Sequence, residues 1–192
     1  MILSDREIKK YLKTGQIKIT PKPNLKEQLG PCSLDLRLGN VFKIFKRTKF
    51  PYIDLKQELP IDEIMEEIKI KKPGSLIMQP GDFILAVTEE EIILPSDLMA
   101  RLDGRSSLGR LGIVVHSTAA RFDPGWRGRA VMELGNLGTL PVAIYPGMRV
   151  CALTFETLSS PSEVPYLKQK DHKYAKQKFP SASKINQEPK LK

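Results

Sequence analysis

The sequence predicts a mainly β fold, an antiparallel barrel or sandwich built as one domain, and three observations carry that expectation. Short apolar runs recur along most of the 192 residues, Pro-Gly pairs punctuate them, and one stretch alternates strictly with period two. A chain of this length encloses one sizeable core, and 41% apolar with 28% charged residues is a globular balance rather than a disordered one.

The elements follow in chain order. Ser4 and Glu7 are spaced as a capping box, Leu3 and Ile8 as its hydrophobic staple and Gly15 as a stop, which predicts a short N-terminal helix. From Ser33 onward Leu34, Leu36 and Leu38 alternate with Asp35 and Arg37, a half-buried strand that Gly39-Asn40 is expected to end in a turn. Further strands are expected at 41–45, 76–78, 83–87, 92–94, 111–115, 130–134, 141–145 and 150–155, with turns at Pro73-Gly74, Pro80-Gly81, Pro124-Gly125 and Pro146-Gly147. One helix is expected among them, over 61–68, because Ile61, Ile64, Met65 and Ile68 share a helical face.

Composition narrows the chemistry. No run approaches the roughly 18 apolar residues of a membrane helix, and charge follows the N-terminus too early for a signal peptide, so a cytoplasmic, membrane-free location is expected. Cys32 and Cys151 lie far apart without a CxxC partner and are expected to be packed thiols. Two histidines, His116 and His172, leave few parts for a multi-histidine metal centre or a Ser-His-Asp triad, so no metal held by protein side chains is expected. The net charge of +9 suits a polyanion, either nucleic acid or a nucleotide. Between Lys72 and Lys168 every basic residue except His116 is arginine, from Arg101 to Arg149, and the planar guanidinium fork favours a small anionic ligand. Only 7% of residues are aromatic, with no aromatic-rich strand for stacking bases, which argues against a nucleic-acid-binding module.

The densest chemistry lies between Gly104 and Gly138. Arg105-Ser106-Ser107-Leu108-Gly109-Arg110 has the hydroxyls, amides and arginines of a phosphate cradle. It lacks the Lys-[ST] ending of a P-loop, and its surroundings are β. Val131 and Glu133 share a strand face, so Glu133 is either a structural ion-pair partner or a carboxyl held in a pocket for proton transfer. Asp123, before Pro124-Gly125, reads by default as a turn residue, and Trp126 as packing.

Taken in order, the opening MILSDREI, the strand PCSLDLRLGN, the block RSSLGRLG, HSTAARFDPGW and AVMELGN, and the tail PYLKQKDHKYAKQK resemble the dCTP deaminase branch of the dUTPase-like superfamily. The resemblance covers nearly the whole chain. It implies a distorted antiparallel β-barrel (dUTPase-like, β-clip) with a short N-terminal helix and one or two further short helices. The barrel would occupy 1–160, and 161–192 would be a C-terminal lid closing over the nucleotide. It further implies a homotrimer with active sites at subunit interfaces that converts dCTP and water to dUTP and ammonia; some relatives are regulated by dTTP, and the sequence leaves that regulation open here. The zinc signature of other nucleobase deaminases, H-x-E with P-C-x-x-C, is absent, so no zinc is expected, and Mg²⁺ would travel on the substrate phosphates.

Carried over by position, the resemblance makes Glu133, Ser106 and Arg110 catalytic. Arg105, Ser106, Ser107, Leu108, Gly109 and Arg110 would form the triphosphate loop. Ala119, Arg121 and Asp123 would line the nucleoside pocket, with Val131, Met132 and Glu133 at the cytosine. Tyr166, Lys173 and Gln177 would close from the tail, although Lys178-Phe179 departs from the family's lid. The alternative is a dUTPase, or a two-step enzyme releasing dUMP and diphosphate. Ala120-Arg121 resembles the deaminase-only branch, where two-step members tend to carry glycine and an aromatic residue. HST and SPSEVPY are similar to two-step enzymes.

Overall fold

The structure, a computed structural model, describes residues 1–46, 48–55, 57, 60–170 and 172–185. Asp171 and the last part of the expected lid, 186–192, lie outside the described residues. The N-terminal helix α1 (Asp5–Thr14) forms as its caps dictate, with both hydrogen bonds of the Ser4/Glu7 capping box present and Gly15 at φ 74° closing its end. Leu3 and Ile8, the expected staple, are both in the hydrophobic core.

The chain continues through β1 (Lys18–Thr20), the single turn α2 (Leu25–Gln28), β2 (Ser33–Phe45), α3 (Ile61–Ile64), β3 (Met65–Lys69), β4 (Leu76–Met78), β5 (Phe83–Ile93) and β6 (Leu98–Gly104). It then forms α4 (Ser106–Gly109), β7 (Ile113–Val114), β8 (Arg121–Phe122), β9 (Arg127–Asn136), β10 (Val142–Ile144) and β11 (Arg149–Thr157). A nine-stranded antiparallel sheet runs β7-β9-β5-β2-β11-β6-β8, with β1 added to β5 and β3 to β2, and β10 pairs β4 separately. The sheet curls around its apolar face into the expected distorted barrel. Among the described residues no helix is long and apolar enough to cross a membrane.

Curling requires bends, and β2 and β5 supply them. The first half of β2 pairs β11, and its second half pairs β5 and β3, with a register shift against β5 between Leu38 and Phe42. The turn expected at Gly39-Asn40 is therefore a bulge inside one long strand. Glycine is needed there because a Cβ on Gly39 would lie 2.8 Å from the Val87 carbonyl oxygen. On β5 the register against β9 shifts between Val87 and Glu91, so the runs at 83–87 and 92–94 are one bent strand.

Two fully buried polar residues answer the hydrogen bonds that this bulge breaks. The Thr88 hydroxyl accepts from Ala130 N at 3.0 Å and donates to Glu90 O at 2.8 Å. The Glu90 carboxylate accepts from Arg37 N at 2.9 Å, Arg37 Nε at 2.8 Å and Gln28 Nε2 at 3.0 Å, which ties α2, β2 and β5 together.

Two further expectations are corrected. The helix over 61–68 is only the turn α3 followed by β3, because the outer edge of β2 takes Met65–Lys69 as a paired strand, Met65 opposite Phe45 and Ile68 opposite Phe42. Backbone pairing along five residues outweighs the helical spacing of four apolar side chains. Of the cysteines, Cys151 is packed and its burial pushes the thiol well above its usual range, whereas Cys32, in the turn before β2, is exposed.

Replacing Thr88 by valine keeps the shape but orphans Ala130 N and removes the bond to Glu90 O. The expected loss is about 2 kcal/mol of unfolding free energy in urea denaturation.

Candidate active site

Alternation along β9 decides what faces the site. Ala130, Met132 and Leu134 point into the core, fully buried, while Val131 and Glu133 point to the other face, opposite Val87 and Leu85 of β5. That face forms one wall of a cavity of about 490 Å³, large enough for a nucleoside with part of its phosphate chain. The loop from His116 to Trp126 forms a second wall, contributing Ala119, Arg121, Phe122 and Asp123, and the C-terminal segment forms a third with Tyr166, Tyr174, Gln177 and 181–183. An apolar end, with Phe45, Met65, Phe83 and Leu85, completes it.

Glu133 is held at this wall from two directions. His116 Nδ1 lies 3.2 Å from its Oε2, and the Ser117 amide donates to the same oxygen at 3.4 Å. The imidazole is 8% exposed and the carboxylate 29%, so the pair sits at the boundary between protein and cavity. A carboxylate so placed is fixed in orientation yet open on one side, which is what proton exchange with a bound molecule requires. Asp123 is ion-paired to Arg121, Oδ1 to Nε at 2.9 Å, at the cavity rim. Trp126 packs edge-on against Phe122, with ring centroids 4.6 Å apart, in agreement with the packing role read from sequence.

Of the residues assigned from sequence, the cavity gathers Ala119, Arg121, Asp123, Val131, Glu133, Tyr166 and Gln177. It does not gather the others. The Met132 side chain is in the core cluster, because its neighbours Val131 and Glu133 take the outward positions. Lys173 lies in the tail off the cavity wall, its carbonyl accepting from Lys184 Nζ at 2.5 Å. The stretch from Arg105 to Arg110 is also apart from it. Leu108 anchors α4 in the core, and Ser106, Ser107, Gly109 and Arg110 stand exposed. Arg105 is pinned by Asp35, Nε to Oδ2 at 3.2 Å, and donates to the Arg149 carbonyl at 3.2 Å. Arg149 itself reaches Asp35 at 3.3 Å. The cavity and the expected phosphate loop are two separate surfaces of one chain.

His116 and Tyr174 were not assigned from sequence, and neither was the apolar end. Lone histidines and strand phenylalanines carry no spacing that distinguishes a cavity wall from a core; only the pairing Leu85 opposite Glu133 puts the phenylalanine end next to the carboxylate. Among the described residues no group of three or more His, Cys, Asp or Glu side chains is arranged to hold a metal ion.

The fold and cavity define a class: a bent antiparallel barrel with a pocket of nucleoside size, into whose wall the second strand of the sheet presents a glutamate. A family model described as dCTP deaminase-like matches residues 2–158, and the chain belongs to that family. It is 56% identical over 98% of its length, and 95% of the relative's, to a dCTP deaminase of Thermomicrobium roseum. It is 52% identical to a dCTP deaminase, dUMP-forming, of Dictyoglomus thermophilum, covering 97% of this chain and 95% of that one. A dCTP deaminase, dUMP-forming, of Methanobrevibacter smithii is 47% identical over 100% of this chain and 98% of the relative. Among solved structures, 2'-deoxycytidine 5'-triphosphate deaminase from Agrobacterium tumefaciens shares the fold, with a TM-score of 0.64 at 23% identity over 82% of this chain and 48% of that longer one.

The alternation on β9 is directly testable. Met132→Ala is expected to cost about 3 kcal/mol of stability by opening a core void, whereas Val131→Ala, facing the cavity, is expected to cost less than about 1 kcal/mol, both read by urea unfolding.

Proposed function

We propose that this chain deaminates dCTP at the cavity built around Glu133 and carries the product on to dUMP and diphosphate. Deamination of dCTP is the activity of the family to which it belongs. The observation that carries the site assignment is the Glu133 carboxylate, oriented by His116 and the Ser117 amide at the wall of the cavity.

In the deamination step a water adds to C4 of the cytosine. Glu133 takes one proton from that water and delivers it to N3 as the C4–O bond forms. The remaining hydroxyl proton then passes through Glu133 to the amino nitrogen, the C4–N bond breaks, ammonia leaves and C4 becomes a carbonyl. A placed acid/base of this kind contributes roughly 10² to 10⁴-fold, and orientation with the electrostatics of the pocket contributes the rest. The Ser106 hydroxyl and Ala119 carbonyl position the water, and Arg110 orients the carboxylate. Ala119 lines the cavity of its own chain, whereas α4 stands outside it, so on this reading the Ser106 and Arg110 contacts come from a second copy, in keeping with a homotrimer with interfacial sites. Arg105, Ser107 and the Leu108-Gly109 backbone hold the phosphates, and Lys173 joins them from the tail. With no clustered carboxylates among the described residues, Mg²⁺ is held by the triphosphate and water.

The second step, attack of water on the α-phosphorus with diphosphate as leaving group, is supported by the full-length relatives named dUMP-forming. Asp123, at the cavity rim, would take the proton from that water. Ala120-Arg121 is the sequence feature that favours stopping at dUTP. The reading places the enzyme in the cytoplasm, in the supply of deoxyuridine nucleotides for dTMP synthesis, with dTTP inhibition as its regulation.

Glu133→Gln is expected to lower dCTP turnover at least about 10²-fold while dCTP binding, measured by calorimetry, persists. For the wild-type chain with dCTP and Mg²⁺, ion-exchange chromatography over time is expected to show dUMP rising without dUTP accumulating. Accumulated dUTP without dUMP would restrict the enzyme to deamination.

A further inference from the structure

The tail reaches the cavity along a strand edge that the sheet leaves open. The start of β9 pairs on one side with β5, Arg127 opposite Ile93 and Arg129 opposite Glu91, while β7 takes the other side only at Gly135 and Asn136. On the open side the tail adds two backbone bonds: Lys176 N donates to Arg127 O at 2.7 Å, and Arg129 N donates to Gln177 O at 2.8 Å. This is strand addition within one chain.

Between those two bonds stands Gly128, at φ 149°. A Cβ there would lie 2.9 Å from Gln177 N and 3.2 Å from Gln177 O, inside the space the added strand fills. Lys176 is the one non-glycine among the described residues with positive φ, at 58°, so the tail accepts a disfavoured conformation at the point where it docks. A second anchor lies upstream, where Tyr166 N donates to Pro124 O at 2.8 Å and Gly125 leaves room for Pro165. Tyr174 N donating to the Tyr166 hydroxyl at 3.2 Å links the two anchors. Gln177 thereby stands in the wall of the cavity that Val131 and Glu133, on the same strand, also line.

We infer that Gly128 is a positioning residue: by admitting Lys176-Gln177 as an added strand on β9, it fixes Gln177 in the nucleotide cavity. The inference rests on reading that cavity as the dCTP site. A side chain at position 128 displaces the tail strand, and loss of the Lys176 N–H does the same from the opposite partner without touching the barrel.

The test pairs Gly128→Ala with Lys176→Pro, which removes the donor to Arg127 O and forbids the left-handed φ. Both variants are expected to raise KM for dCTP about tenfold, as for loss of one good hydrogen bond, with kcat within about twofold of wild type. The double variant is expected to be no worse than either single one, since both release the same contact. Lys176→Gly keeps the N–H and relieves the strain, and is expected to retain wild-type KM. Limited trypsin digestion without nucleotide is expected to cut the tail faster in Gly128→Ala and Lys176→Pro, with the barrel intact. Wild-type KM in Lys176→Pro, or a released tail with unchanged KM, overturns the inference. Absence of dCTP turnover in the wild-type chain would instead overturn the functional reading, and the trypsin result would still decide whether Gly128 seats the tail.

Discussion

The architecture depends on how one broken stretch of β5 is repaired. A sheet that curls into a barrel must shift register somewhere, and each shift leaves backbone groups without ladder partners. Here the shift falls between Val87 and Glu91, in the middle of the sheet, where Thr88 and Glu90 are fully buried. Thr88 gives its hydroxyl to the orphaned ladder, and Glu90 gathers Arg37 and Gln28 around a buried carboxylate. A buried charge of this kind is tolerable only when fully paired, so the network constrains β2, β5, β9 and α2 at once. The bend in the sheet and the polar pair at its centre are one feature.

That bend fixes the site. With β5 held against β9 in this register, Val131 and Glu133 face Val87 and Leu85 on the side of the cavity, and Ala130, Met132 and Leu134 are committed to the core. The loop from His116 to Trp126 then folds over the same face and brings an imidazole and an amide to the Glu133 carboxylate. The carboxylate thus rests on a paired strand, while the loop and the tail form the other walls of the cavity.

A second charged assembly lies outside the cavity. Asp35 on β2 pins Arg105 and Arg149, holding the loop that leads into α4, while Leu108 anchors its short helix. Ser106, Ser107 and Arg110 project outward from that base. The base therefore holds these hydroxyls and guanidinium groups outside the cavity that Glu133 lines, although both belong to one block of sequence.

Local signals decided the parts whose energetics are local. The Ser4/Glu7 box and Gly15 delimit α1 because caps act within four residues, and the apolar runs mark strands because burial on one face imposes period two. The order of motifs from RSSLGRLG to AVMELGN was likewise legible, and with it the family. What the sequence could not decide was which groups meet across the sheet. Gly39-Asn40 reads as a turn until Val87 is seen to approach it, and the spacing at 61–68 reads as a helix until β2 offers an open edge. His116 beside Glu133, Met132 turned to the core and Gln177 brought onto β9 through Gly128 are likewise products of strand register, a long-range property that no short stretch of residues encodes.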